Sequence, residues 1–102
     1  MAPQVQEHLA DVVALCRRFN VRQLDLFGSA ATEHFDPARS DIDLLIAFAR
    51  SKDPEAAPPY FEVLAALEDL FGRKVDLVDI RAARNPYLIN EALKHRVTLY
   101  AA

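Results

Sequence analysis

The chain has 102 residues, of which 52% are apolar, 26% are charged, two are glycine and six are proline, which predicts a single compact domain over residues 1–102. Twelve basic and fifteen acidic residues give a formal charge of −3, so there is no global basic field and we expect no duplex nucleic acid partner. A single cysteine and no apolar run of membrane-spanning length predict a cytoplasmic protein without disulfide or membrane segment.

The first half of the chain predicts one helix and two strands. Apolar residues at helical spacing predict a continuous helix over residues 3–19. Alternation predicts a strand over residues 22–27, which Gly28 breaks. After a polar stretch, a β-favouring run predicts a second strand over residues 42–48, antiparallel to the first.

The second half predicts a further helix and strand before a helical segment near the C-terminal end. Residues 50–59 carry three prolines and read as a surface loop. A helix is expected over residues 60–71, followed by a third strand over residues 74–80. Asn-Pro then begins a last helix over residues 87–96, and residues 97–100 form a short strand or a packed tail.

Two carboxylates stand at the start of the second predicted strand. Asp41 and Asp43 project to the same face, with Cα atoms roughly 6.5–7 Å apart. A solvated outer face is the simpler interpretation, because alternation is ordinary for a half-exposed strand. Against it, the same face continues through Leu45 and Ala47, so the carboxylates lie at one end of a surface that turns apolar.

The third predicted strand offers another carboxylate. If it lies beside the second strand, Asp76 approaches the first two, whereas the competing Asp79 points to the opposite face. Such a cluster suits two Mg²⁺ ions ~4 Å apart, which act in phosphoryl transfer. Gly28-Ser29 is either an ordinary turn or an anion-binding nest for a triphosphate.

These residues resemble a known family. Gly28-Ser29, an eleven-residue interval, Ser40-Asp41-Ile42-Asp43-Leu44 and Val75-Asp76-Leu77-Val78 are similar to the minimal nucleotidyltransferases of the DNA polymerase beta-like superfamily. The resemblance implies an α/β (α+β) fold, with a short mixed sheet, helices on one face and the metal site on the other. The core-facing positions would be Leu24, Leu26, Ile42, Leu44, Ile46 and Leu77.

The resemblance also implies the role of each motif. Asp41 and Asp43 would bind both Mg²⁺ ions, and Asp76 would share one and orient or deprotonate the attacking hydroxyl. Gly28 and Ser29 would hold the phosphates of ATP. The remaining nucleotide-binding candidates are Ser40 and Arg39, and the reaction would transfer AMP to a hydroxyl and release pyrophosphate.

Many relatives in this family are antitoxins that adenylylate a tyrosine of a HEPN-type toxin, which makes such a toxin the expected partner. The chain departs from the family at Thr32 and Glu33, where an arginine and a glycine are usual, and Glu33 would repel a triphosphate. Two alternatives therefore stay open: an antitoxin that acts by binding alone, and transfer to a small-molecule hydroxyl. A homo-oligomer is left open as well.

A few other side chains remain candidates for a contact with substrate. His34 follows the Gly-Ser turn, and Arg81 and Arg84 follow the third strand; solvated side chains are the alternative for each. Cys16 falls on the apolar stripe of the first helix and is expected in the core.

Overall fold

Four strands form a mixed sheet in the computed structural model, which describes residues 1–31, 41–53, 55–82, 90 and 94–102. The strands are β1 (Val21–Phe27), β2 (Ile42–Phe48), β3 (Val75–Asp79) and β4 (Val97–Ala101). Their order across the sheet is β3-β2-β1-β4. β1 is antiparallel to β2, as predicted, and also to β4, while β2 and β3 are parallel.

One face of this sheet forms the hydrophobic core. Alternation along the strands sends apolar side chains to that face, where α2 (Leu9–Arg18) and α3 (Tyr60–Phe71) cover them. Burial of each large apolar side chain contributes about 1.5–3 kcal/mol. All six core positions expected from the sequence are at most 4% exposed: Leu24, Leu26, Ile42, Leu44, Ile46 and Leu77.

The predicted continuous first helix is wrong, because two helices occupy that segment. α1 (Pro3–Gln6) ends before Glu7, and α2 begins at Leu9 after His8, whose φ of −105° and ψ of 10° lie outside the helical region. The break brings the His8 ring edge-on to Phe71, with 5.9 Å between ring centroids. It also leaves Val5 fully buried, so tertiary packing overrides the local helical pattern.

Cys16 lies in the core as expected, at 1% exposure. Burial raises the pKa of its thiol to about 12, because the apolar surroundings disfavour the thiolate. The thiol therefore stays protonated and packs as a small apolar side chain.

Helix α3 closes the outer edge of β3. The Tyr60 hydroxyl donates a hydrogen bond to the Leu77 carbonyl, and the Val75 N–H donates to a Glu68 carboxylate oxygen at 3.1 Å. Gly72, with φ of 64°, ends α3 in the left-handed conformation, so the helix covers residues 60–71 as predicted. Side chains of the helix thus satisfy backbone groups that an edge strand would otherwise present to another chain.

The remaining predictions concern the C-terminal third. Residues 97–101 form a strand, which decides between the two alternatives left open for them. The predicted last helix over residues 87–96 falls mostly outside the described residues. In the segments that the structure describes, no helix is long and apolar enough to cross a membrane.

Truncation of the fully buried Leu67 of α3 to alanine should lower the free energy of unfolding by about 2–5 kcal/mol, because it leaves a cavity under the sheet. Phe61→Ala on the same helix is the control, since Phe61 is 76% exposed and should change the value by no more than about 0.5 kcal/mol. Equal losses in urea denaturation of the two variants would contradict this assignment of the core.

Candidate active site

Two carboxylates are direct neighbours on the face of the sheet opposite the core. Asp43 of β2 and Asp76 of β3 are register partners, so their side chains leave adjacent strands on the same side. Adjacent strands are about 4.8 Å apart, which is within reach of a shared cation. Asp41 lies two residues before Asp43, exposed, at the entry to β2.

Gly28 lies directly against the Asp43 carboxylate. Its φ of +68° favours glycine, and it starts a 3-10 turn, Gly28–Ala31, at the end of β1. A Cβ atom built there would overlap Oδ2 of Asp43 and lie 3.3 Å from its Cγ. The absent side chain is therefore what allows the β1 terminus to approach the carboxylate.

The Asp43 carboxyl is affected both by burial and by repulsion from neighbouring carboxylates. Partial burial raises the pKa of its carboxyl above the ordinary value, and the nearby Asp76 and Asp41 raise it further. Asp79 stands apart from this group, because its register partner is the core residue Ile46 and its Oδ1 accepts the Arg81 N–H at 2.9 Å. Asp43 and Asp76 are thus adjacent on one face of the sheet, and Asp41 is near enough to act on the Asp43 carboxyl.

The donor set fits a hard divalent cation. Within the described residues, no three His, Cys, Asp or Glu side chains are already gathered into a metal-binding group. The backbone nonetheless places Asp43 beside Asp76, and the exposed Asp41 and Asp76 side chains are free to change rotamer. Three carboxylates with only oxygen donors match the preference of Mg²⁺, and a cation would relieve the repulsion at Asp43.

A buried charge on this face was not predicted from the sequence. Asp25 of β1 is 3% exposed; it accepts hydrogen bonds from the Gln23 amide at 2.9 and 3.1 Å, and Arg96 lies 3.6 Å away. A buried carboxylate needs such partners, because an unpaired one is strongly destabilising. The sequence signal for it was that Asp25 shares a strand face with Phe27, the register partner of Asp43.

Several candidates cannot be placed. The Ser29 side chain and the residues Arg39 and Ser40 lie outside the described residues, as do Thr32, Glu33, His34 and Arg84. Arg81 lies at the other end of the sheet, where its guanidinium donates to the Phe48 carbonyl at 2.7 Å. It does not take part in the carboxylate site.

The sequence itself places the chain in a family. The family model described as "Polymerase beta, Nucleotidyltransferase" matches residues 11–102. The chain belongs to this nucleotidyltransferase family. Two proteins of Methanocaldococcus jannaschii, each named "Putative protein adenylyltransferase", are 38% and 34% identical to it over 74 and 71 residues. These matches cover 72% and 70% of this chain and 71% and 69% of those proteins.

Solved structures share the fold. A putative minimal nucleotidyltransferase is similar with a TM-score of 0.74 and 28% identity, over 95% of each chain. A toxin-antitoxin crystal structure with AMP-PNP gives 0.71 and 25%, over 92% of this chain and 73% of that one. A Shewanella oneidensis complex of a tri-AMPylated HEPN toxin with its MNT antitoxin gives 0.66 and 24%, over 95% and 72%. The fold of this chain, with its four-stranded mixed sheet, is thus the fold found in solved structures of nucleotidyltransferases.

The contact at Gly28 gives a matched pair of variants. Gly72→Ala should cost about 1–2 kcal/mol of stability, because alanine is strained at a φ of 64°, and nothing lies within 4 Å of the new Cβ. Gly28→Ala should incur the same strain and, in addition, displace the Asp43 carboxylate. We expect calorimetric Mg²⁺ and nucleotide binding to weaken in Gly28→Ala alone; equal binding in both variants would contradict the contact.

Asp43→Asn should stabilise the cation-free protein at pH 7, because it removes a charge that is partly buried and that its neighbours repel. The folded state raises the pKa of Asp43 above 3.8, so the free energy of unfolding falls as pH rises above 3.8 and the carboxyl ionises. Well below pH 3.8 the carboxyl is protonated in both states, so the stabilisation by Asp43→Asn should vanish there. Urea denaturation at both pH values measures this, with the exposed Asp69→Asn as control. Added Mg²⁺ should stabilise the wild type and not Asp43→Asn; the reverse order would overturn the assignment.

Proposed function

We propose that this nucleotidyltransferase moves AMP from ATP to a hydroxyl of a partner protein, with a HEPN-type toxin as the acceptor. The observation that carries the proposal is the adjacency of Asp43 and Asp76, with Gly28 against the Asp43 carboxylate. Repelling carboxylates next to a glycine turn suit a cation-bound triphosphate and have no evident structural purpose.

Asp41, Asp43 and Asp76 would hold the two Mg²⁺ ions. When bound, these ions stabilise the charge on the attacking and leaving oxygens of an in-line displacement. Asp43 suits the central position, because both other carboxylates act on it. Bound cations would also favour the ionised form of its carboxyl and so oppose the effect of burial and of the two neighbouring carboxylates on its pKa.

Side chains and backbone of the protein would accept the proton of the hydroxyl and hold the phosphates. Asp76 is exposed at the edge strand β3 and can accept the proton of an incoming hydroxyl. The hydroxyl oxygen then bonds to the α-phosphorus of ATP, the bond to the bridging oxygen breaks, and pyrophosphate leaves. Gly28 lets the backbone at the end of β1 approach the phosphates, and Ser29, Ser40 and Arg39 are the further candidates for holding them.

Two relatives and two solved structures support the choice of acceptor. Proteins that are more than a third identical to this chain carry the name of protein adenylyltransferases, and a toxin-antitoxin structure of similar fold contains AMP-PNP. A further neighbour contains an AMPylated HEPN toxin beside its MNT antitoxin. A protein hydroxyl is therefore the acceptor we favour over a small molecule.

The test is transfer of label from α-labelled ATP to the product of an adjacent HEPN-type gene in the presence of Mg²⁺. We expect Asp43→Asn to abolish labelling and Asp76→Asn to reduce it at least about 100-fold, because each removes a metal-binding oxygen. Asp79→Asn is the control on the same strand, since its side chain caps the following turn, and it should retain near-normal transfer.

Absence of labelling together with a tight unlabelled complex would refute the enzymatic proposal and favour an antitoxin that acts by binding alone. Label that appears only on a small-molecule hydroxyl would refute the choice of acceptor but retain the chemistry. Equal loss in Asp76→Asn and Asp79→Asn would contradict the assignment of Asp76.

A further inference from the structure

A cavity of about 540 Å³ opens at the end of the sheet away from the carboxylates. It is bounded by Asn20 before β1, Phe48 at the end of β2 and Arg81 after β3. Asp43 and Phe48 are five positions apart along β2, which is roughly 16 Å. The cavity is therefore separate from the candidate active site, and its volume is in the range of small-molecule sites.

The charge in this cavity is opposite to that of the rest of the chain. Three arginines line it, Arg18, Arg50 and Arg81, with Asp53 as the acidic counterpart, which leaves two positive charges. The chain as a whole carries −3. The Oδ1 atom of Asp53 accepts the N–H of Glu55 in its own loop at 3.0 Å.

Two of the guanidinium groups are held in position and the third is available. Arg81 donates to the Phe48 carbonyl at 2.7 Å, and Arg18 lies over the Phe19 ring, 5.1 Å from its centroid. Among the described residues, nothing forms a hydrogen bond or ion pair with the Arg50 side chain. Fixed and free guanidinium groups around one cavity are suited to oxyanions, which they bind bidentately.

The other walls of the cavity are apolar. The loop before α3 contributes Ala57, Pro58 and Pro59 to them, and Phe48, which is packed in the core at 3% exposure, lies behind them. An inorganic ion would leave these walls without a contact, whereas a ligand with an organic part covers them. A phosphomonoester carries about −1.5 to −2 charges at pH 7, which matches the two positive charges better than a single carboxylate does.

We propose that this cavity binds an organic phosphomonoester of nucleotide size, with the phosphate on Arg18, Arg50 and Arg81 and the organic part on Pro58 and Pro59. This site is independent of the nucleotidyl transfer proposed above, because it uses none of the same residues. It gives the domain two ends of opposite charge, a cation-binding end and an anion-binding end.

The test maps AMP binding on the ¹⁵N-labelled full chain by NMR, in EDTA, so that no cation draws AMP to the carboxylates. We expect amide shifts at Asn20, Ala49 and Arg50, and at least tenfold weaker binding of adenosine, which lacks the phosphate. Arg50→Ala should weaken AMP binding about tenfold or more, because it removes a charge-assisted hydrogen bond. Arg22→Ala removes the same charge from β1 outside the cavity and should change the affinity by less than about twofold.

Three results would overturn the proposal. Shifts confined to Gly28 and the acidic residues would place AMP at the active site. Equal weakening in Arg50→Ala and Arg22→Ala would indicate general charge attraction. Binding of a tetraglutamate peptide to the cavity as tightly as AMP would identify it as a surface for acidic protein segments.

Discussion

The repulsion between Asp43 and Asp76 is the constraint on which the described site depends. Parallel pairing of β2 with β3 forces these carboxylates into adjacent positions, and burial of Asp43 reduces the water that would screen them. The fold tolerates this because a hydrophobic core on the other face of the same strands supplies the stability. A cation bound between these carboxylates would relieve the repulsion, so its binding would stabilise the folded protein.

Much of the fold was predictable because the sequence shows apolar residues clearly at helical spacing in the helices and in alternation in the strands. The alternation of Leu24 and Leu26 with Asp25 and Phe27 assigned the two faces of β1 correctly, and the residues around Asp76 did the same for β3. The broken first helix was not predictable, because the contact between His8 and Phe71 joins residues far apart in sequence. A local pattern cannot contain information about such a partner.

The candidate site was predictable in part for a similar reason. Spacing alone put Asp41 and Asp43 on one face, but the choice of Asp76 over Asp79 needed the assumption that β3 lies beside β2, which the register supports. The contact between Gly28 and Asp43 crosses from β1 to β2 and is visible only in three dimensions. The same holds for Asp25 and Arg96, whose pairing spans most of the chain.

The closure of the β3 edge by α3 bears on the position of Asp76. Tyr60 and Glu68 bind backbone groups of Leu77 and Val75, on either side of Asp76. A slip of β3 by one residue along β2 would turn Asp76 toward the core, and it would break both of these bonds. The helix thus fixes the register of β3 against β2. Because the register decides which residues face each other, α3 keeps Asp76 next to Asp43.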